Sequence, residues 1–155
     1  PNSAVAHLDL ANAYIRKGDF PAAIDEFREA ARLDPTDLIS RINLGTALTL
    51  EGKTDEAVVV FHDALRLDPN HVDAHFNLAE ALIEQGKVEE GIEEYRQVLR
   101  IRPSDPGAYV AIGRALLRAE RLDEAVAHFR QALALDPNHP EAKQALDYAL
   151  SIQNK

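Results

Sequence analysis

Four prolines divide the chain into equal intervals, and no other feature limits its possible folds as strongly. They lie at positions 35, 69, 103 and 137, always 34 residues apart, and three of them follow an aspartate. Self-similarity at a fixed period of roughly 20–50 residues is typical of repeat arrays rather than of one globular core. We therefore expect four similar units in tandem.

Other residue types recur at the same interval. Gly18, Gly52 and Gly86 share one column, and Glu120 takes the fourth position, where we expect the same kind of turn. The other columns are small or aromatic: Ala11, Gly45, Ala79 and Gly113; Ala23, Ala57, Gly91 and Ala125; Phe27, Phe61, Tyr95 and Phe129; Ala30, Ala64, Val98 and Ala132. Small residues at fixed columns let paired helices approach closely, and the aromatic rings fill the space between neighbouring units.

Each unit is predicted to contain two helices, A and B. Apolar residues at helical spacing place helix A at about 4–17, 38–51, 72–85 and 106–119, and helix B at about 21–33, 55–67, 89–101 and 123–135. Asp37, Asn70, Asp105 and Asn138 precede A helices as N-cap candidates. One such pair is too small to bury a stable core, so the pairs must stack. The predicted fold is all-α, an α-solenoid of antiparallel helix pairs.

These columns resemble the tetratricopeptide repeat (TPR) pattern of W-x2-L-G-x2-Y, A-x3-F, A and P within 34 residues. The second unit carries the pattern as Leu44, Gly45, Leu48, Ala57, Phe61, Ala64 and Pro69. The chain departs from it in the Trp column, which holds His7, Arg41, His75 and Tyr109, and in the Tyr column, which holds Leu48, Leu82 and Leu116. The resemblance implies a right-handed superhelix with repeats at 4–37, 38–71, 72–105 and 106–139. Residues 140–155 are expected to form a capping helix, because Asp147 breaks the small-residue column and no helix B follows.

The composition excludes several classes of function. The net charge is −9, with 26 acidic and 17 basic residues, which argues against a nucleic-acid partner. Cysteine is absent, so thiolate metal sites and disulfides are excluded. Neither a signal peptide nor an apolar run long enough for a bilayer is visible, so we expect no membrane insertion. These absences favour the cytoplasm without determining the compartment. Because the chain begins with Pro1 and lacks methionine, we infer that it is a fragment or a processed form.

No motif predicts catalysis, and we expect neither an enzyme nor a cofactor within these residues. His71 and His75 have the i, i+4 spacing of a zinc-binding pair, but no third ligand lies nearby in the sequence. We interpret His71 as a turn residue and His75 as a packing residue. The carboxylates Glu89, Glu90, Glu93 and Glu94 lie on a helix B whose outer face we expect to be solvated.

The resemblance implies that the A helices line a concave groove that receives a peptide or a helix of a partner protein. Carried onto this sequence, the predicted peptide-binding residues are Leu8, Asn12, Ile42, Asn43, Thr46, Phe76, Asn77, Glu80, Ile83, Val110, Arg114 and Leu117. The carboxylate clamp of chaperone-binding members is not expected. Only Asn12 and Asn43 match it, and Leu8, Asp73 and Asn77 occupy its basic positions.

Three features of the predicted groove have two interpretations each. Leu8, Ile42, Phe76 and Val110 form either an exposed apolar stripe that binds a partner or a row half-buried against the next A helix. Asn43 and Asn77 are similar to the asparagine ladder of O-linked N-acetylglucosamine transferases, or they are polar filler. Glu80 and Glu84, beside Arg114 and Arg118, either select a ligand of complementary charge or pair with one another.

The sequence thus predicts a non-enzymatic scaffold or adaptor for protein–protein interaction. Two alternatives remain open. In the first, the array is the substrate-presenting domain of a larger enzyme, such as a glycosyltransferase, whose active site lies outside these residues. In the second, it is a self-assembly module in which the groove of one array accepts the terminus of another.

Overall fold

The computed structural model describes residues 3–153, which form nine α-helices and no strand. The helices are α1 (Ala4–Lys17), α2 (Phe20–Leu33), α3 (Leu38–Leu50), α4 (Thr54–Leu67), α5 (Val72–Glu84), α6 (Val88–Ile101), α7 (Pro106–Arg118), α8 (Leu122–Leu135) and α9 (Pro140–Gln153). Each predicted bound lies within one residue of an observed one, except at the end of the last helix. The final two residues of the predicted capping helix, 154 and 155, lie outside the described part of the chain.

The helices stack in chain order. Each one packs against the helix before and after it, and α3 also contacts α5, as α7 contacts α9. Odd-numbered helices therefore lie side by side along one face of the stack. The buried side chains form two main clusters, one from α1 to α5 and the other from α5 to α9, and both include residues of α5. This arrangement confirms the prediction of an all-α solenoid. Within the described range, no helix is both long enough and apolar enough to cross a membrane.

The paired helices approach each other closely where a glycine faces an aromatic ring. A Cβ atom built on Gly45 would lie only 2.5 Å from Cε1 of Phe61, and Gly113 meets the ring of Phe129 in the same way. Both rings are fully buried. Since real Cβ atoms cannot approach so closely, alanine, which occupies this column in the first and third units, would require the ring to move at these two positions.

The turn between the helices of a pair requires a left-handed residue. Gly18, Gly52 and Gly86 have φ values of 75°, 78° and 80°, which allow the helix end to close through backbone hydrogen bonds. Glu120 adopts a φ of 59° at the fourth of these positions, as the repeat predicts. A side chain in this region costs energy that glycine avoids.

Two of the four predicted N-caps are confirmed and two are wrong. Asp37 and Asp105 accept hydrogen bonds from the first backbone N–H groups of α3 and α7. At the equivalent positions of α5 and α9, the cap is a histidine: Nδ1 of His71 accepts from Ala74 N at 3.3 Å, and Nδ1 of His139 accepts from Ala142 N. Asn70 and Asn138 instead donate their backbone N–H to Asp68 and Asp136, within the preceding turns.

Two of the four residues in the column that holds tryptophan in the family pattern form polar pairs. His75 is 8% exposed, and its Nδ1 lies 2.6 Å from Oε2 of Glu94 on the paired helix. Nε2 of the same ring lies 3.0 Å from the carbonyl oxygen of Pro69. His7 and Glu26 repeat this contact in the first pair. The pairs satisfy buried polar atoms and connect the two helices of a unit.

One end of the stack leaves apolar surface uncovered. Leu10 on α1 is 42% exposed, whereas Leu44 and Leu78, at the same position in later units, are 7% and 0% exposed. The difference arises because α3 and α5 each lie against a preceding helix. In the described chain no helix precedes α1.

The Gly113→Ala variant is expected to lose about 1–3 kcal/mol of unfolding free energy through overpacking against Phe129. This loss outweighs the helix propensity gained, which is roughly 1 kcal/mol. Urea denaturation measures it. When Phe129 is also replaced by leucine, the Gly113→Ala substitution should lower the free energy of unfolding by less than it does in the natural chain. An alanine that stabilises the natural chain would contradict the close approach.

In the Glu120→Gly variant, the free energy of unfolding is expected to rise by about 0.5–1 kcal/mol, because glycine adopts the left-handed conformation without a steric penalty from Cβ. Gly86→Ala, the reciprocal change one repeat earlier, is expected to lose a similar amount. Thermal denaturation of both variants measures the difference. Equal melting temperatures for the two would show that φ is not the controlling variable at this turn.

Candidate functional site

A cavity of about 680 Å³ opens on the face formed by the odd-numbered helices. Helices α5, α7 and α9 supply most of its wall. Its lining is apolar at the base and charged at the rim, and comprises Phe76, Glu80, Ile83, Glu84, Tyr95, Gly107, Val110, Ala111, Arg114, Ala115, Arg118, His139 and Glu141. Five of the predicted groove residues, Phe76, Glu80, Ile83, Val110 and Arg114, therefore lie together around one cavity.

The exposed apolar stripe predicted on the A helices is wrong for two of its four residues. Ile42 and Val110 are only 7% and 3% exposed. Ile42 packs in a small cluster with Ala64 and Ala74, which belong to the two helices that follow α3. Leu8 and Phe76 are half-buried, as the alternative interpretation expects.

Two other apolar residues of the predicted groove, Ile83 and Leu117, are also largely covered. Ile83 is 6% exposed and Leu117 is half-buried, and both belong to the core that joins the third and fourth helix pairs. These residues stabilise the stack, and only their remaining accessible surface is open to a ligand. Whether any of them touches a peptide stays a prediction.

Three larger exposed apolar residues on the odd helices escaped the sequence analysis. Val5 on α1 is 65% exposed, and Ile39 and Leu50 on α3 are each 53% exposed. Ile39 shares its repeat position with Gly107, and Leu50 shares its position with Glu84; both equivalents line the cavity. The 34-residue spacing thus places these side chains on the groove face of the first half of the array. The same spacing could have identified these three residues from the sequence.

The polar residues of the groove are partly engaged with one another. Asn77 Nδ2 donates to Thr46 Oγ1 at 3.4 Å, and that hydroxyl donates to the carbonyl oxygen of Ile42 at 3.0 Å. Asn43 is half-buried and Asn12 is exposed. The structure therefore links Asn77 to Thr46 on the neighbouring helix rather than to Asn43.

The four charged residues predicted at the C-terminal end of the groove do not pair among themselves. Arg114 lies 3.4 Å from Glu141 of α9, a contact that the sequence did not reveal because the last helix was expected only to cap the stack. Within residues 3–153, neither Glu80 nor Glu84 lies within 4 Å of a cationic side chain, and Arg118 makes no ion pair. Burial and the nearby charge of Glu84 raise the pKa of Glu80, and Arg114 only partly offsets them.

An aromatic pair forms part of the base of the cavity. The rings of Phe76 and Tyr95 meet edge to face, with centroids 4.9 Å apart. Tyr95 is 3% exposed, yet in the described chain its hydroxyl makes no hydrogen bond, although it lines the cavity. Burial, followed by the charge of Glu80, raises the pKa of Tyr95, so the hydroxyl remains neutral. It is an unused polar group at the base of an open site.

The two histidines with zinc-like spacing already have structural partners. His71 caps α5, and His75 contacts Glu94 and the carbonyl of Pro69. Across the described residues, no three histidine, aspartate or glutamate side chains lie close enough to hold a metal ion. The candidate site is therefore the groove itself, which offers apolar side chains, amides and charges to a ligand.

Two models of the tetratricopeptide repeat match the chain, one over residues 48–114 and the other over residues 4–37 and 106–139. Together with the fold, they show that the chain belongs to the tetratricopeptide repeat family. Members of this family are generally non-catalytic scaffolds that bind protein or peptide partners. No curated protein matches the chain in sequence.

Solved structures of the family share the fold over nearly the whole chain. MamA from Desulfovibrio magneticus RS-1, from residue 41 to its end, is 25% identical; the match covers 99% of this chain and 87% of that one, with a TM-score of 0.86. A double mutant of MamA RS-1 is 24% identical over 100% of this chain and 87% of that one, with a TM-score of 0.87. YrrB, described as a TPR protein with an unusual peptide-binding site, is 24% identical over 93% and 74%, with a TM-score of 0.82.

Replacing Glu80 by glutamine is expected to stabilise the chain at pH 7. Because the folded-state pKa of Glu80 is raised, the folded chain holds this proton more tightly than the unfolded chain, and stability falls as pH rises through the carboxyl range. The increase in stability should therefore vanish below about pH 4, where the carboxyl of Glu80 is protonated in both the folded and the unfolded chain.

Thermal denaturation of the Glu80→Gln variant between pH 3 and 8 measures this gain. Asp147→Asn is the matched control, since Asp147 is exposed in the middle of α9, away from the helix ends, and its loss changes the net charge equally. A gain of the same size in both variants would show that net charge, rather than the site, sets the effect.

Proposed function

We propose that the chain is a non-catalytic adaptor that holds an extended or helical peptide of a partner protein along the groove of α1, α3, α5, α7 and α9. The observation that carries this proposal is the division of the groove face into two parts. The first half exposes apolar side chains, and the second half holds the charged cavity. A partner peptide that bears apolar residues followed by a polar or charged one matches both parts.

The affinity comes mainly from the apolar half. Val5, Ile39 and Leu50 are each more than half exposed, so a ligand removes much of their surface from water. Covering such a side chain contributes on the order of 1–2 kcal/mol, since full burial contributes about 1.5–3 kcal/mol. Three such anchors together contribute about 3–6 kcal/mol, which offsets part of the entropy of association, and contacts along the rest of the groove must supply the remainder.

The polar residues orient the ligand. Asn12 and Asn43 offer a donor and an acceptor each to a peptide backbone, whatever its sequence. Asn77 and Arg114 extend this row toward the cavity, where Arg114 is 66% exposed despite its contact with Glu141. The cavity then selects the side chain of the peptide, and the asparagine amides determine the register in which the peptide backbone binds.

The proposal predicts that substituting the exposed groove residues reduces binding without changing the fold. Peptides are first selected from a random library displayed on phage, with the natural chain as bait. Fluorescence anisotropy then gives the Kd of the enriched peptides. The double variant Ile39→Gln/Leu50→Gln is expected to weaken binding about 10- to 100-fold, since each 1.4 kcal/mol lost is tenfold.

Val59→Gln is the matched control for this experiment. Val59 is 59% exposed, as accessible as Ile39, but it lies on α4, the second helix of its pair. Its replacement should leave the Kd unchanged. The groove proposal fails if no peptide is enriched, or if the Val59 variant loses as much affinity as the groove variant.

A second candidate function is self-association end to end. Both terminal helices expose large apolar residues: Leu10 on α1, and Tyr148 and Ile152 on α9, at 42%, 61% and 41%. A second copy whose α9 covers α1 would bury the surface that later units cover internally. Sedimentation over a range of concentrations tests this. A Leu10→Lys variant should shift any oligomer to monomer, and a natural chain that is monomeric throughout would exclude it.

A further inference from the structure

We propose that the cavity between α5, α7 and α9 selects one basic side chain, arginine or lysine, from the bound peptide. This inference rests on the proposed groove function and adds to it the chemistry of the ligand. Glu80 and Glu84 would supply the counter-charge, and the Phe76–Tyr95 pair would supply the surface on which the alkyl stem of the basic side chain lies.

The charges around the cavity leave an excess of carboxylate. Three glutamates, Glu80, Glu84 and Glu141, line it together with Arg114 and Arg118, so the formal balance is −1. Arg114 already has Glu141 at 3.4 Å. Glu80 and Glu84 lie one helical turn apart on α5, without a cationic partner within 4 Å in the described chain, and they repel each other. A cation between them removes this repulsion.

The base of the cavity suits the rest of a basic side chain. Phe76, which is half-buried against the edge of Tyr95, offers aromatic carbon for a methylene stem, and an ammonium or guanidinium group near its exposed face gains cation–π attraction. The hydroxyl of Tyr95 belongs to a residue that is only 3% exposed, and it makes no hydrogen bond within residues 3–153. Its oxygen can accept one from the bound cation.

An acidic ligand fits the same cavity poorly. Arg118 is the one guanidinium of the lining without an ion pair in the described chain, whereas an acidic side chain would meet three glutamates. The whole chain carries a net charge of −9, which also favours the approach of basic segments over acidic ones. Both the local and the global charge therefore select a basic group.

The test uses the peptides enriched from the phage library in the groove experiment. The natural chain is expected to enrich arginine or lysine at one position of these peptides. Replacing that arginine by citrulline, its uncharged analogue, or a lysine by norleucine, should weaken binding about tenfold, the effect of losing roughly 1.4 kcal/mol. The double variant Glu80→Gln/Glu84→Gln should lose the same affinity for the basic peptide and none for the neutral one.

Two further variants separate this role from a structural one. The charge-matched control is Glu90→Gln/Glu120→Gln, which removes two exposed carboxylates outside the cavity and should not weaken binding of the basic peptide. Tyr95→Phe should fold normally, because Phe27, Phe61 and Phe129 fill this position in the other units, and it should weaken binding by a few fold.

The outcomes distinguish this inference from the groove function. Peptides that depend on Ile39 and Leu50 but show no preference for a basic residue would overturn the inference and leave the adaptor function intact. Enrichment of acidic residues, with loss of affinity in Arg118→Gln, would overturn it as well. Failure to enrich any peptide would overturn both.

Discussion

The contact between a small residue on the first helix of each unit and an aromatic ring on the second is the interaction on which the rest of the structure depends. Gly45 beneath Phe61 and Gly113 beneath Phe129 show how little room it leaves. Because the ring lies against the backbone of its partner helix, the two helices are held at close range, and the same ring also reaches the core shared with the next unit. Repeating this contact every 34 residues produces the stack.

The stack then divides every odd-numbered helix into two surfaces. One surface is covered by neighbouring helices. Ile42 and Val110 are therefore buried, although they lie on the side that faces the groove. The other surface is left to solvent, and there the residue types no longer follow a packing rule. At equivalent positions they change from Ile39 to Gly107, and from Leu50 to Arg118. We expect functional residues at repeat positions where packing does not determine the residue type.

The cavity also contains features that a purely structural role does not explain. Glu80 has its pKa raised by burial and by the charge of Glu84, which lowers stability at neutral pH. Tyr95 carries a hydroxyl without a hydrogen-bond partner in the described chain, although phenylalanine fills the same position in the other units. Groups with perturbed pKa values in an open site are typical of functional surfaces.

Much of the fold could be predicted from the sequence, because helix periods, glycine turns and small-residue columns act locally. The histidine caps were missed by one residue, although the 34-residue column from Asp37 leads directly to His71 and His139. The burial of Ile42 could not be predicted, since it depends on how closely α4 and α5 pack on α3. The partner of Arg114 was missed for a similar reason, because Glu141 lies 27 residues away on the last helix.

The central claim is that ligands occupy the odd-helix face, and chemical-shift mapping tests it most directly. Titrating an enriched peptide into the isotope-labelled chain should shift the amide signals of α1, α3, α5 and α7, with the residues around the Phe76–Tyr95 cavity among the most affected. Signals from the outer faces of α2, α4, α6 and α8 should remain in place. Shifts concentrated on the even helices would place the ligand on the opposite face and contradict the account.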